Sequence, residues 1–180
     1  TSAFHEGGGT PQVLQDAIDY FRSEAGGPSA PMNGGIFVTS AGNSDAPASG
    51  FSPAEYGPAV TVSSTEDTDT KSSFSNFGDA VDVAAPGGEF GEDGVWSTVN
   101  GGFGSISGTS MAAPHVAGIA ALIVSEDPSQ TLDNDQVEQL LIDTGVDISG
   151  NQPERMGPRV DAQAALAVVS GDDAPPATIS

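Results

Sequence analysis

No cysteine occurs among the 180 residues, which excludes a disulfide and any thiolate metal site. Basic side chains are nearly absent too: 4 Lys and Arg stand against 25 Asp and Glu, a net charge of -21. Nucleic acid and anionic membrane surfaces would be repelled by that charge, so neither is expected as a partner. No stretch of the chain approaches the roughly 20 apolar residues of a membrane span. The opening TSAFHEGGG has neither the basic end nor the apolar centre of a signal peptide and reads as sequence from the middle of a domain. Histidine is scarce, with 2 residues, His5 and His115.

What remains is the length and composition of one globular unit or a large piece of one. The carboxylates are dispersed along the chain rather than gathered in a tail. Such a surface suits salty surroundings, where counter-ions screen the self-repulsion, and it suits an ordinary acidic secreted protein equally well.

Thr10 and Pro11 read as the cap and first position of a helix reaching about Ser23, with Val13, Leu14, Ala17, Ile18 and Phe21 on its inner face. GIFVTSAGN, PAVTVSS and AVDVAAPG are short β-rich runs of the length of buried strands, and GVWSTV is a fourth. The polar SSTEDTDTKSSFSNFGD between them reads as surface loop. From Met111 to Val124 almost every residue is Ala, Val, Ile, Leu or Gly, which predicts a helix buried on all sides. NDQVEQLLIDT predicts an amphipathic helix with Val137, Leu140 and Leu141 inward. GPRVDAQAALAVV predicts another, with Pro158 near its start and Ala164, Ala165 and Val168 packing. Residues 170–180 have the composition of a linker, so the domain is expected to occupy 1–169. Helices alternating with short apolar strands predict an α/β layered fold with a mainly parallel sheet.

Ser110 stands between Gly108-Thr109 and this apolar helix. A nucleophilic serine gains from a helix N-terminus, where backbone N–H groups and the positive end of the dipole stabilise an oxyanion. A serine in that position alone is most often only a cap. The second glycine of the G-x-S-x-G elbow is missing, because Ala112 takes its place.

The eleven residues GTSMAAPHVAG resemble the serine motif of the subtilisin-like serine proteases, the subtilases. TSAGNSD, FSPAEYGPAVTVSS, SSFSNFGDAVDVAAPG and GPRVDAQAAL resemble further segments of the family in the family's order. The resemblance implies a three-layer α/β subtilisin-like fold and a serine endopeptidase acting on polypeptides outside the cell. It implies Ser110 as nucleophile, with Asn43 and the Ser110 N–H as donors to the oxyanion. It also implies that Thr39, Ser40, Ala41 and Gly42 form one wall of the pocket for the residue before the scissile bond, with Gly50 near its floor and Thr109 beside the serine. These positions carry no charge, so an uncharged side chain is the expected preference. Calcium is implied only as a structural ion, on the backbone carbonyls of Ala54, Tyr56 and Ala59. A plain surface turn is an equal reading of those residues. Asp93, Asp127, Asp133 and Asp135 lack calcium-loop spacing and read as solvated charge.

A serine nucleophile needs a base and a group to orient it, and the family's chain order is Asp, His, Ser. His115 follows Ser110 by five positions, more than a helical turn, and reads as a packed structural histidine. The segment AFHEGGG lacks the family's histidine motif and no Asp precedes it, so His5 reads as an exposed loop residue, with a weak surface metal ligand as the alternative. The chain is therefore expected to be the C-terminal half of a subtilase catalytic domain, inactive alone, with an N-terminal half as its partner. An exposed sheet edge follows from that expectation. The competing readings are an inactive remnant that binds peptides, and a structural or storage protein, which explains the acidity but not the serine motif.

Overall fold

The structure, a computed structural model, describes residues 5–6, 9–26, 30–91, 93–127, 129 and 131–171. Three short apolar runs form a parallel sheet in the order β2-β4-β5: β2 (Val38–Ser40), β4 (Val60–Thr65) and β5 (Val83–Pro86). Val38 pairs with Val60 and Val62 with Val83. Every residue of β4 is buried, as a central parallel strand covered on both faces requires. Beyond β5 the ladder continues as one bridge, in which Ala84 donates to Pro158 and accepts from Val160. On its other side β2 has no strand partner among the described residues, leaving an open parallel edge.

Helix α2 (Thr109–Glu126) packs across β2, β4 and β5. Its Ala112, Ala113, Val116, Ala120 and Ile123 meet Val60, Val62, Val83 and Ala85 in one core, and its alanines let the helix lie close to the sheet. The expectation of burial on all sides fails. Pro114, His115, Ala117, Gly118, Ala121 and Leu122 are exposed along the opposite face. Helices α3 (Asn134–Asp143) and α4 (Ala162–Ser170) pack against α2. Val137 and Leu141 of α3 are buried as expected, and Leu140 is half-buried. In α4 Ala165 is buried but Val168 is exposed, and the helix starts after Asp161, well beyond Pro158. The tail expected at 170–180 lies outside the described residues apart from Ser170, which ends α4, and Gly171.

Helix α1 (Gln12–Glu24) begins one residue later than the Thr10 cap predicts, with Pro11 in the cap position. Thr10 is diverted: its amide and hydroxyl both donate to Glu55. Of the predicted inner face only Ile18 is buried, while Val13 and Ala17 are exposed. Leu14, Ala17, Ile18 and Phe21 instead border an open apolar cavity of about 340 Å³ with Phe37.

The run GVWSTV does not join the parallel sheet. It forms β6 (Val95–Val99), paired antiparallel with β7 (Gly102–Ile106) around Asn100-Gly101. Of the two turn residues Gly101 alone takes positive φ, at 89°, which its missing Cβ permits. His5 is not in a loop: β1 (His5–Glu6) pairs antiparallel with β3 (Phe51–Ser52). The polar run read as surface loop is largely interior, with Ser63, Ser64, Thr65, Ser72, Ser75 and Asn76 fully buried.

All four basic side chains are committed to the fold. Arg22 pairs with Asp135 and Glu138, Lys71 with Asp45, and Arg159 with Asp69, while Arg155 donates to the carbonyls of Gly78 and Val81. Two of the aspartates read as solvated are structural. Asp133 closes a capping box with Gln136 at the start of α3. Asp127 is buried, and its carboxylate accepts from the Ser129 hydroxyl and from the N–H groups of Ser129, Thr131 and Leu132. The Ser129 hydroxyl, with the three N–H groups behind it, holds the Asp127 pKa down to about 2.

Candidate functional site

Two chain segments far apart in sequence meet at the N-terminus of α2. Gly108 caps the helix with φ 153° and ψ 159°, and its amide donates to Gly87 just past β5. Ser110 follows in the first turn, half-buried, where N–H groups point out of the helix at the positive end of its dipole. The second segment leaves β2. Ala41 donates to Val62, one residue beyond the strand, and Gly42 turns the chain at φ 109°.

Thr109 joins the two. Its hydroxyl accepts from the Gly42 amide at 3.2 Å and donates to Oδ1 of Asn43 at 2.9 Å, and its own amide donates to the same Oδ1 at 2.9 Å. An N–H can only donate, so the atom facing it must be the carboxamide oxygen, which settles the orientation of the Asn43 side chain. Nδ2 is left facing the space above Gly108. A methyl group placed on Gly108 would stand 3.6 Å from Nδ2 of Asn43 and 3.7 Å from the amide nitrogen of Ser110. The Asn43 carboxamide, whose Oδ1 would stand 3.8 Å from the same methyl, and the Ser110 amide nitrogen thus border the space over Gly108.

The other expected site residues fall differently. Thr39, Ser40 and Ala41 are fully buried and Gly42 is buried. Only the backbone of this segment could therefore line a pocket. Gly50 is exposed, and a Cβ added to it would meet nothing within 4 Å. Thr109, expected beside the substrate, is fully buried and acts on Asn43 instead. His115 is not packed: it is exposed, and its Nδ1 lies 2.9 Å from the carbonyl of Met111 one turn back. Five positions along a helix put it about 140° round the axis from Ser110. Across from it, Trp96 is 70% exposed over an open cavity of about 320 Å³ bordered by Met111 and Pro114. Of the carbonyls expected to hold calcium, Ala54 accepts from the Thr61 hydroxyl at 2.8 Å and Tyr56 from the Ala59 amide at 2.8 Å. Among the described residues no group of three or more His, Asp or Glu side chains could hold a metal ion. Asn76, within SNFG, is a fully buried side chain bonded to the chain on both sides of Asn43, and sequence reasoning missed it. A polar side chain inside a polar run carries no periodic sign of burial.

Parallel strands, a core helix packed across them and a serine at its N-terminus near the Asn43 carboxamide make this an α/β protein. The chain belongs to the subtilase family, whose model matches residues 5–164. It is 45% identical over 136 residues to alkaline serine exoprotease A of Vibrio alginolyticus, covering 76% of this chain and 23% of that protein. It is 42% identical over 141 residues to the halolysin-like extracellular serine protease Nep of Natrialba magadii, covering 78% of this chain and 24% of that one. A protease from Pseudoalteromonas arctica PAMC 21717 superimposes with a TM-score of 0.79 at 34% identity, over 94% of this chain and 50% of that one. The chain thus spans between a quarter and a half of the length of these relatives.

Proposed function

We propose that this chain is the nucleophile-bearing part of a serine endopeptidase. The Ser110 hydroxyl attacks the peptide carbonyl, Nδ2 of Asn43 and the Ser110 N–H receive the oxyanion, and an acyl-enzyme forms as the amine leaves. Water then releases the acyl group. A histidine held by an aspartate takes the hydroxyl proton and delivers it to the amine, and polypeptide outside these 180 residues supplies both. The observation that carries this reading is the pair of donors flanking the space over Gly108. The place of His115, about 140° round the helix axis from Ser110, supports a base from elsewhere.

The partner surface is the open edge of β2 together with the bare face of α2. Met32, Ile36, Val38, Ala117, Ala121 and Val124 border an apolar groove of about 390 Å³ between them. An added parallel strand would satisfy the β2 edge, and a helix would cover the small residues of α2. The substrate is a polypeptide with an uncharged residue before the scissile bond, lodged against the backbone of 39–42 and near Gly50. No cofactor enters this chemistry. A calcium ion on the Ala54, Tyr56 and Ala59 carbonyls would share all three with hydrogen bonds already made, the one to Ala59 being long at 3.5 Å. Extracellular action fits the acidity, and among the described residues no helix is long and apolar enough to cross a membrane.

The test is covalent labelling. In the complete domain Ser110 is expected to react with a fluorophosphonate probe, and Ser110→Ala to abolish the adduct. Folded domain that binds peptides yet never takes the probe would instead favour the inactive remnant.

The charge gives a second expected result. Four cations are already spent on the fold, so most of the 25 carboxylates have no counter-charge of their own. Molar salt shortens the screening length to about 3 Å from about 10 Å at 0.1 M, which relieves their repulsion. The unfolding midpoint of the complete domain should rise from low to molar sodium chloride. Sulfate at equal ionic strength separates screening from exclusion. A flat or falling midpoint in chloride would leave ordinary secreted acidity as the account.

A further inference from the structure

Besides Thr109 and Lys71, a third side chain holds the segment carrying Asn43 from outside, and it bonds the backbone on both sides. Asn76 is 0% exposed. Its Oδ1 accepts from the amides of Ser44 at 2.9 Å and Ala46 at 3.1 Å. Its Nδ2 donates to the carbonyl of Ala41 at 2.9 Å, and its backbone amide donates to the carbonyl of Gly42 at 2.9 Å. Asn76 therefore grips the chain on both sides of Asn43 without touching the Asn43 side chain.

That loop needs a grip. Gly42 takes φ 109° freely, but Asp45 at φ 49° is a non-glycine in the left-handed region, a conformation that its surroundings must hold. Asn76 is itself fixed. Ser75 accepts from the Ser64 amide in β4 and donates to the Asn76 carbonyl, tying the clamp to the sheet. Flanking bonds run the same way, from Asp45 to the Phe74 carbonyl and from Phe77 to the Ala46 carbonyl. Thr109 then orients a carboxamide whose backbone is already in place. A carboxamide suits the task because it accepts twice at one end and donates at the other. A carboxylate would turn its second oxygen on the Ala41 carbonyl, and a serine could not reach both sides.

We propose that Asn76 is a positioning residue for the oxyanion donor Asn43: it sets where Nδ2 stands and thereby the transition-state stabilisation, while leaving substrate binding almost unchanged. The inference rests on the serine endopeptidase reading. If it holds, Asn76→Ala in the complete domain lowers kcat on an amide substrate about 10- to 100-fold per fluorophosphonate-titrated site, part of the 10²–10³ that a whole oxyanion donor supplies. KM stays within about 2-fold. In an Asn43→Ala background the same substitution changes kcat by less than about 2-fold, because residues acting as one unit are not additive. Merely structural damage would lower the titrated fraction, or lower kcat equally in both backgrounds, and either result overturns the proposal.

A crystal structure of the Asn76→Ala domain decides the matter independently of activity. Asn43 is expected to have left Thr109, and Oδ1 still within 3.5 Å of the Thr109 amide would overturn the proposal. An inert unmutated domain would sink the endopeptidase reading while this structural result still judged the clamp. Should Asn76→Ala fail to fold, Asn76→Asp keeps the acceptors for Ser44 and Ala46 and loses the Ala41 bond. It should show a smaller kcat loss with the same dependence on Asn43, and a loss independent of Asn43 would count against the proposal.

Discussion

Alone, the chain is expected to hydrolyse an unstructured protein no faster than its Ser110→Ala form, and a segment bearing the acid and base should raise Ser110-dependent turnover by about 10⁶-fold. The magnitude is the cost of losing the triad serine or histidine measured in subtilisin, a member of this family, and is carried over from it. Its physical source is plain. A serine hydroxyl near neutral pH is almost entirely protonated and must lose its proton as it attacks, so an oxyanion pocket without a base stabilises an intermediate that rarely forms. His115, five positions on, lies about 140° round the helix axis from Ser110, which argues against it as that base. The measurement is release of peptides from casein by the chain alone, by the segment alone and by the two together, with the unmutated chain and its Ser110→Ala form run in parallel. Cleavage by the unmutated chain alone that vanishes in the Ser110→Ala form would reveal a base within the 180 residues.

Much of the fold was legible because its signals are local. The β-rich run at Val60–Thr65 marks a buried parallel strand, and the spacing of Val137, Leu140 and Leu141 marks the inner face of α3. The pairing of Asn43 with Ser110 was legible only through the order of motifs, since Thr109 joins them by contacts between segments far apart in sequence. What escaped was polar and interior. Asn76, Ser72 and Ser75 sit in a run that looks like a surface loop, because hydrogen bonds rather than apolar packing offset their burial and leave no hydrophobic period to read. Asp127 was missed for the same reason, its four bonds being made to a turn that the sequence does not announce. β7 was hidden by its composition, as glycine and serine outnumber strand formers in Gly102–Ile106. The error at α2 has a different cause. Its residues are apolar all round, yet one face is bare, and a sequence reports which surface should be covered without saying by which polypeptide.

In the complete domain Asn43→Ala should lower kcat by about 10²–10³ and leave KM nearly unchanged, a magnitude again taken from the corresponding loss in subtilisin. The reason lies in when the hydrogen bond forms. Nδ2 faces the position that the oxygen takes as it becomes charged, so the bond contributes little to the planar ground state and most to the tetrahedral one. The Ser110 N–H would remain, so the loss should not approach that of the serine itself. Thr109 gives a check on the cause, because it spends two donors on Oδ1 and its buried hydroxyl would lose an acceptor in the alanine form. Asn43→Asp restores that acceptor without restoring the donor, and it sets a carboxylate beside the developing oxyanion. Its kcat should fall at least as far as that of Asn43→Ala even though its fold is better kept. Steady-state kinetics on an amide substrate, with active sites titrated, separates the two parameters. A kcat within about 3-fold of the unmutated domain, or a loss confined to KM, would remove Asn43 from the chemistry and leave it as a residue that shapes the turn after β2.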